Sequence, residues 1–130
     1  MAQYAADVQR LSNWLKYEEE AGSGVTREVL AKSAVTDATI TGSVLDSTGK
    51  LVTALTVTDA TYILIDDLTR PSAKEFTNVL VLARGHAKVG KRALIFGADV
   101  NTDILKNQAF AKLAEKNIFA IDQLDITIRN

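Results

Sequence analysis

The chain has no cysteine, which removes disulfides and thiolate metal sites together and leaves its stability indifferent to redox compartment. Packing or oligomerisation has to supply that stability instead. It has a single histidine, His86, so a Ser-His-Asp triad or a histidine-rich metal site would have to be built around one residue, and the sequence offers it no nucleophile. Nowhere do about 18 apolar residues run together, as a membrane-spanning helix requires, and the opening MAQYAADVQRLSNWLKYEEE lacks the apolar core of a secretory signal. Neither sign of charge prevails: 15 basic and 16 acidic residues give a formal net charge of -1, which calls for neither a nucleic acid nor an acidic membrane as partner.

The 130 residues, 47% of them hydrophobic, with a mean hydropathy of +0.05, suffice for one core and at most one domain plus an appendage. Residues 4 to 17 set Tyr4, Val8, Leu11 and Leu15 at steps of four, three and four, spacing that predicts an amphipathic helix with Trp14 beside its apolar stripe. A helix so short is marginal alone and needs a surface to pack against. Three glutamates, Glu18 to Glu20, lead into Ala21-Gly22-Ser23-Gly24, which reads as a flexible joint. The expected organisation is an N-terminal arm and joint over 1–24 and a β-rich domain over 25–130.

From residue 25 onward, short runs of Val, Ile, Thr and Leu broken by Gly or Asp have the composition of strands and turns. Strands are predicted near 27–31, 38–45, 51–58, 61–66, 77–83, 92–96 and 124–128, the last from the strict alternation Leu124-Asp125-Ile126-Thr127-Ile128. Turns are expected at Asp46-Ser47-Thr48-Gly49, at Asp67 with Arg70-Pro71-Ser72, and at Gly85 and Gly90. One helix stands out inside the domain, at 103–116. Ile104, Leu105, Ala109, Phe110, Leu113 and Ala114 give it an apolar face, Asn101 or Thr102 a cap, and Lys112 and Lys116 suit its C-terminal end. The fold class is therefore mainly β with one helix (α+β), a compact small barrel-like or sandwich-like domain with an arm.

The string from Gly85 to Arg92 matches the phosphate-binding pattern G-x-x-x-x-G-K and fails at its last position, where Arg92 stands in place of the magnesium-binding Ser or Thr. A strand, Val79 to Ala83, precedes it, and Tyr62 to Asp67 imitates the acidic strand of such sites. However, Ala93-Leu94-Ile95-Phe96-Gly97 reads as another strand, not the helix whose N-terminus would cradle phosphate, and the chain is too short for the usual parallel sheet. A turn with solvated lysines accounts for the string better. Asp66 and Asp67 are adjacent on an apparent strand and face opposite sides, which spoils them as an acid/base pair. No catalytic residue, metal site or cofactor is expected.

Arg84, Lys88, Lys91 and Arg92, with no acidic residue between 76 and 98, form the one local electropositive feature. Without stacking aromatics or a wider basic face it suits a solvated turn first and polar contact with an acidic protein surface second. The Glu18 to Glu20 run reads as solvated.

The order of segments carries more information than any motif. Trp14-Leu15-Lys16-Tyr17-Glu18-Glu19, then Val25-Thr26-Arg27-Glu28, then Ile40 to Leu45 resembles the opening of the phage head decoration proteins related to that of phage lambda: an arm, a Ser/Thr-Arg-Glu step and a Gly-Ser/Thr-Val-Leu strand. Ala60 to Asp67 resembles the family's A-x-G-I-L-L-E-D strand, with Tyr62 in place of the glycine. Val79 to Val89 resembles its V-L-V-R-G-x-A-x-V strand and turn. Phe110 with Leu113 to Ile118 resembles its closing helix ending in L-x-x-x-G-I, where Asn117 replaces a glycine and tolerates the same left-handed conformation. The resemblance covers about 14 to 121.

It implies a non-enzymatic cement protein, made in the host cytoplasm and carried on the capsid exterior of the virion. It further implies a homotrimer on an expanded shell, its arms bound to the major capsid protein and resisting internal pressure without nucleic acid or membrane. Tyr4, Val8, Leu11, Trp14, Leu15 and Tyr17 are the residues expected to dock the arm, so deleting residues 1–20 should weaken capsid binding far more than folding. Another virion component, such as a tail or head-completion protein, is the alternative, and a small nucleotide-binding domain comes third.

Overall fold

The computed structural model describes residues 11–19, 25–35, 40–66, 68 and 77–121. Tyr4 and Val8, the expected joint at 21–24, Asp67, the Arg70-Pro71-Ser72 turn and the alternating strand at 124–128 lie outside the described residues.

Among the described residues, seven strands form two sheets, neither closed into a barrel, with one full helix, giving a sandwich-like α+β domain. The first sheet holds β1 (Leu15–Glu18), β6 (Ala87–Gly90) and β7 (Ile118–Ile121) in the order β1-β6-β7. Its β1 and β6 run antiparallel, and β6 and β7 parallel. The second holds β2 (Arg27–Ala31), β3 (Val44–Asp46), β4 (Ala60–Leu64) and β5 (Asn78–Leu82) in the order β2-β5-β4-β3, antiparallel throughout. A single helical turn, α1 (Leu11–Trp14), precedes β1, and α2 (Asp103–Ala114) lies within the long connection that a parallel β6–β7 pair requires.

The strands β3, β4 and β5 of the second sheet are covered on both faces. Val44, Ile63 and Leu82 point into the main core with Trp14, Val89, Leu113 and Ile118, while their neighbours Leu45, Leu64, Val79 and Val81 form a second cluster with Val35. Burial on both sides is why these strands read as near-continuous apolar runs. In α2, Thr102 caps the N-terminus by accepting a hydrogen bond from the Leu105 backbone N–H, and Asp103 sits in the first turn, where the helix dipole favours a negative charge. The helix stops at Ala114, and Asn117 takes the left-handed conformation (φ 65°) just beyond it. Its carbonyl accepts from Ala87 N at 3.1 Å, and a Cβ on Gly85 would collide with the Asn117 backbone, so that residue has to be glycine for the chain to enter β6.

Three expectations need correction. The helix expected over 4–17 is, among the described residues, only the turn Leu11–Trp14, because the next four residues pair with β6. The strand expected at 51–58 is a single bridge at Leu51 followed by a turn. There Thr56 Oγ1 accepts from Thr53 N at 2.8 Å and Thr53 O from Thr56 N at 2.9 Å, so local side-chain hydrogen bonds compete with the ladder. The strand expected at 92–96 opens as a 3-10 turn, Lys91–Ala93, and touches the second sheet only where Ile95 bridges to Ser43. The Asp46 turn forms as expected, its carboxylate accepting from Thr48 N and Lys50 N and its closing Gly49 at φ 95°.

Candidate functional site

Residues 11–19 are mounted into the domain. Trp14 is completely buried, and its indole N–H donates to Thr41 Oγ1 at 3.0 Å, a partner that an interior indole needs. Leu11 and Leu15 pack against the same core. Opposite them Leu15 pairs with Val89, Tyr17 with Lys88 and Glu18 with Ala87, with a bulge between Leu15 and Tyr17. Such an irregularity re-aims the side chains that follow it: Tyr17 is exposed, whereas the Glu18 side chain is only 4% exposed.

Glu18 accepts two hydrogen bonds from Arg27, Nε to Oε2 and Nη2 to Oε1, both at 2.7 Å, and a third from the buried Thr26 hydroxyl. Arg27 opens β2, so this bidentate pair bolts the first sheet to the second. The Arg27 hydrogen bond holds the Glu18 carboxyl below its ordinary value, with Thr26 adding to the effect and burial opposing it. Glu19 N donates to His86 O at 2.8 Å, and its Oε1 lies 3.0 Å from His86 Nδ1. The hydrogen bond from the His86 ring lowers the Glu19 carboxyl as well. Two members of the expected solvated acidic run are thus structural fasteners.

The string Gly85 to Arg92 is not a phosphate loop, and its middle is a strand between a bend and a 3-10 turn. Ala87–Gly90 is the central strand of the first sheet, its backbone paired with β1 on one side and β7 on the other, so its N–H groups are not gathered around an anion. Gly90 leads into a three-residue 3-10 turn, not a helix. His86 is exposed, as expected, but held by Glu19. The Asp66 carboxylate accepts from Leu80 N at 2.7 Å, which occupies it at the end of β4.

The basic group divides into three. Arg84 turns toward β2, donating to Val25 O at 2.9 Å and pairing with Glu28. Lys88 is on the outer face of β6, between the buried Ala87 and Val89. Lys91 and Arg92 turn toward α2, where they line an open depression of about 300 Å³ with Asp103, Lys106, Asn107 and Phe110. Those four helix residues fall at i, i+3, i+4 and i+7, one face of α2. Lys91 Nζ stands 5.6 Å from the Phe110 ring centroid, and Phe110 packs edge-on against Phe96. Lys106 and Asn107 were absent from the sequence-based set; their spacing was visible, but not that residues 91–92 would face them.

Among the described residues no group of three or more His, Asp or Glu side chains is arranged to hold a metal ion, and no helix is long and apolar enough to cross a membrane. A family model described as "Bacteriophage lambda head decoration protein D" matches residues 6–118. No curated protein and no solved structure matches the chain.

Proposed function

The chain belongs to the family of the bacteriophage lambda head decoration protein D, and from that premise we propose that it coats the exterior of an expanded phage head as a trimer and holds neighbouring capsomers together. Family membership makes it a structural protein of the phage capsid; the trimer, the arm contacts and the stabilisation of the shell are our reading. The observation that carries it is the extent of the match, from ahead of α1 to the first residue of β7.

The arm is residues 1–24, joined to a domain over 25–130, with the major capsid protein as its partner. The burial of Leu11, Trp14 and Leu15 supports dividing the labour within it: these three anchor the arm's root, and capsid contact falls to Tyr4, Val8 and the exposed Tyr17. Covering one such side chain yields about 1.5–3 kcal/mol, too little for tight binding once ordering costs are subtracted. Three arms on one trimer change that arithmetic, because the second and third engagements become intramolecular. The role involves no chemical step, cofactor, nucleic acid or membrane, and the protein is made in the host cytoplasm before it joins the virion.

Sedimentation equilibrium of the free protein, followed by electron microscopy of undecorated expanded capsids mixed with it, tests this reading. A trimer that adds density at regular positions on the shell is expected, with the arm cleaved by protease when free and protected on capsids. A monomer without capsid affinity would overturn the proposal, and a ring of six would move the protein to a tail or head-completion role.

A further inference from the structure

We propose that residues 124–128 of one copy add as a strand to the free edge of β2 in the next copy, so that the trimer closes by exchanged strands; this rests on the trimer of the decoration reading above. β2 is an end strand of the second sheet, and among the described residues it pairs only with β5. Ala83 N donates to Thr26 O at 2.9 Å and Lys32 N to Thr77 O at 3.0 Å, so the even-numbered residues turn their backbone groups toward β5. In an antiparallel ladder the residues between them turn the other way. Arg27, Val29 and Ala31 therefore direct their N–H and C=O groups outward, along an edge of the kind that sheets normally cover or blunt. The side chains do not blunt it. Arg27, the one charge on that face, is tied to Glu18, Val29 and Ala31 are exposed, and Leu80 opposite Val29 is half-buried, an apolar strip that a further strand would complete.

The chain carries a segment to match. Leu124-Asp125-Ile126-Thr127-Ile128 is as long as β2 and alternates strictly, so as a strand it has one apolar face to lie beside Val29 and one polar face for solvent. Ile118 and Ala120 of β7 face the core, and the apolar even-numbered positions resume at Leu124 and run to Ile128 with no glycine, proline or asparagine between. β7 stops where its partner does, since Ile121 lies opposite Gly90, which leads into the 3-10 turn. That end of the first sheet is opposite the Ala87 end, where Glu18 bolts β1 to β2, and β7 is two strands across from β1. A strand continued from Ile121 runs away from its own β2 and toward a neighbour's. A capsid strand on β2 would leave the apolar face of 124–128 without a partner, whereas exchange covers both surfaces at once. One giving surface and one receiving surface repeat head to tail and close as a ring, while β2 against β2 would stop at a dimer.

Sedimentation equilibrium of the full chain should give the mass of three chains for wild type and of one chain for Val29→Pro and Ile126→Asp. Proline at 29 removes an outward N–H and leaves the hydrogen bonds to β5 in place, so a cooperative urea transition should persist; should that variant not fold, Ile126→Asp decides. Because the chain has no cysteine, Val29→Cys can be combined with Leu124→Cys, Ile126→Cys or Ile128→Cys, and at least one combination should yield oxidised dimers and trimers on non-reducing gels. A wild-type trimer that persists in the folded variants, or the absence of a cross-link in every combination, overturns this inference alone. A faster-migrating monomer in the oxidised pairs assigns the strand to its own chain, and covalent dimers from Val29→Cys alone assign the edge to a second β2; either overturns it. So does protection of the Val29 amide from hydrogen exchange that appears only when undecorated capsids are added, which assigns the edge to the capsid. A wild-type monomer overturns both this inference and the trimer of the decoration reading.

Discussion

β5 and β6 follow one another closely in the chain, and each lies inside its sheet, yet their sequences have little in common. Four of the five residues of β5 are large and apolar, because it is covered on one face by the main core and on the other by the smaller cluster around Val35. β6 is Ala-Lys-Val-Gly, with Lys88 exposed between two buried neighbours. The second sheet is thus specified by what its strands are made of. The first is specified by what comes to them: a strand near one end of the chain and another beyond α2, neither of which pairs locally.

Several perturbations would break or sharpen this contrast. The largest concerns β1. Deleting residues 1–19 removes an edge of the first sheet together with Trp14, and the product is expected to lose its cooperative urea transition by circular dichroism, whereas a cut after residue 10 should preserve it and lose capsid binding. The expectation that deleting residues 1–20 weakens capsid binding far more than folding therefore gives way to one in which the cut-point matters. A cooperative fold in the shorter protein would mean that β6 and β7 stand without β1.

Next in size, Trp14→Ala should cost about 3–5 kcal/mol in urea unfolding, the usual price of emptying an aromatic site in a core. In the same experiment wild-type Trp14 emission should begin blue-shifted and move to the red on unfolding. A buried indole of this kind reports folding of the domain.

Glu18→Gln is expected to cost about 1–3 kcal/mol, since Arg27 and Thr26 lose a charged acceptor at a largely buried site. Its pH dependence has a definite sign. Because the folded state holds the Glu18 carboxyl below its ordinary value of 4.5, the stabilisation is complete above that value and is lost as pH falls through the lowered one. Urea midpoints from pH 7 down to pH 3 should therefore fall more steeply for wild type than for Glu18→Gln. Parallel curves would show that the bolt between the sheets contributes nothing. At the small end, Val29→Thr, on the exposed side of edge strand β2 at 60% exposure, should stay within about 0.5 kcal/mol of wild type.

The same contrast explains what the sequence made legible. β4 and β5 were readable because apolar runs bounded by turn residues say strand when both faces are to be buried, and α2 was readable down to its Thr102 cap and the left-handed Asn117. Ile104 nevertheless stands 72% exposed, one step off the buried face of that helix. β1 was read as helix because Leu11 and Leu15 satisfy a four-residue step whether or not the helix continues; only the arrival of Val89 decides. β6 was read as turn because its glycines and lysines have that local meaning, and the small side chains that let it lie between two strands look the same on paper. For the candidate site, Arg84, Lys88, Lys91 and Arg92 were legible as a charge group but not as three separate surfaces, since their directions depend on β2, on β6 and on α2 in turn.

The position of β6 between β1 and β7 also sets a timetable. During synthesis at roughly 5–20 residues per second, Glu18 is made several seconds before Ala87, its cross-strand partner, and β6 then waits again for Ile118. The second sheet can assemble in that interval and offer Trp14 part of its core, while the strand that pairs with β1 is still missing. Pairings of this sequence separation slow folding, so the last event in making the molecule is the closing of the sheet that carries the arm. On the proposed function, a newly made chain would complete its domain at the same step that fixes the arm's root in place, and half-folded chains would reach the shell without a firm mount to bind with.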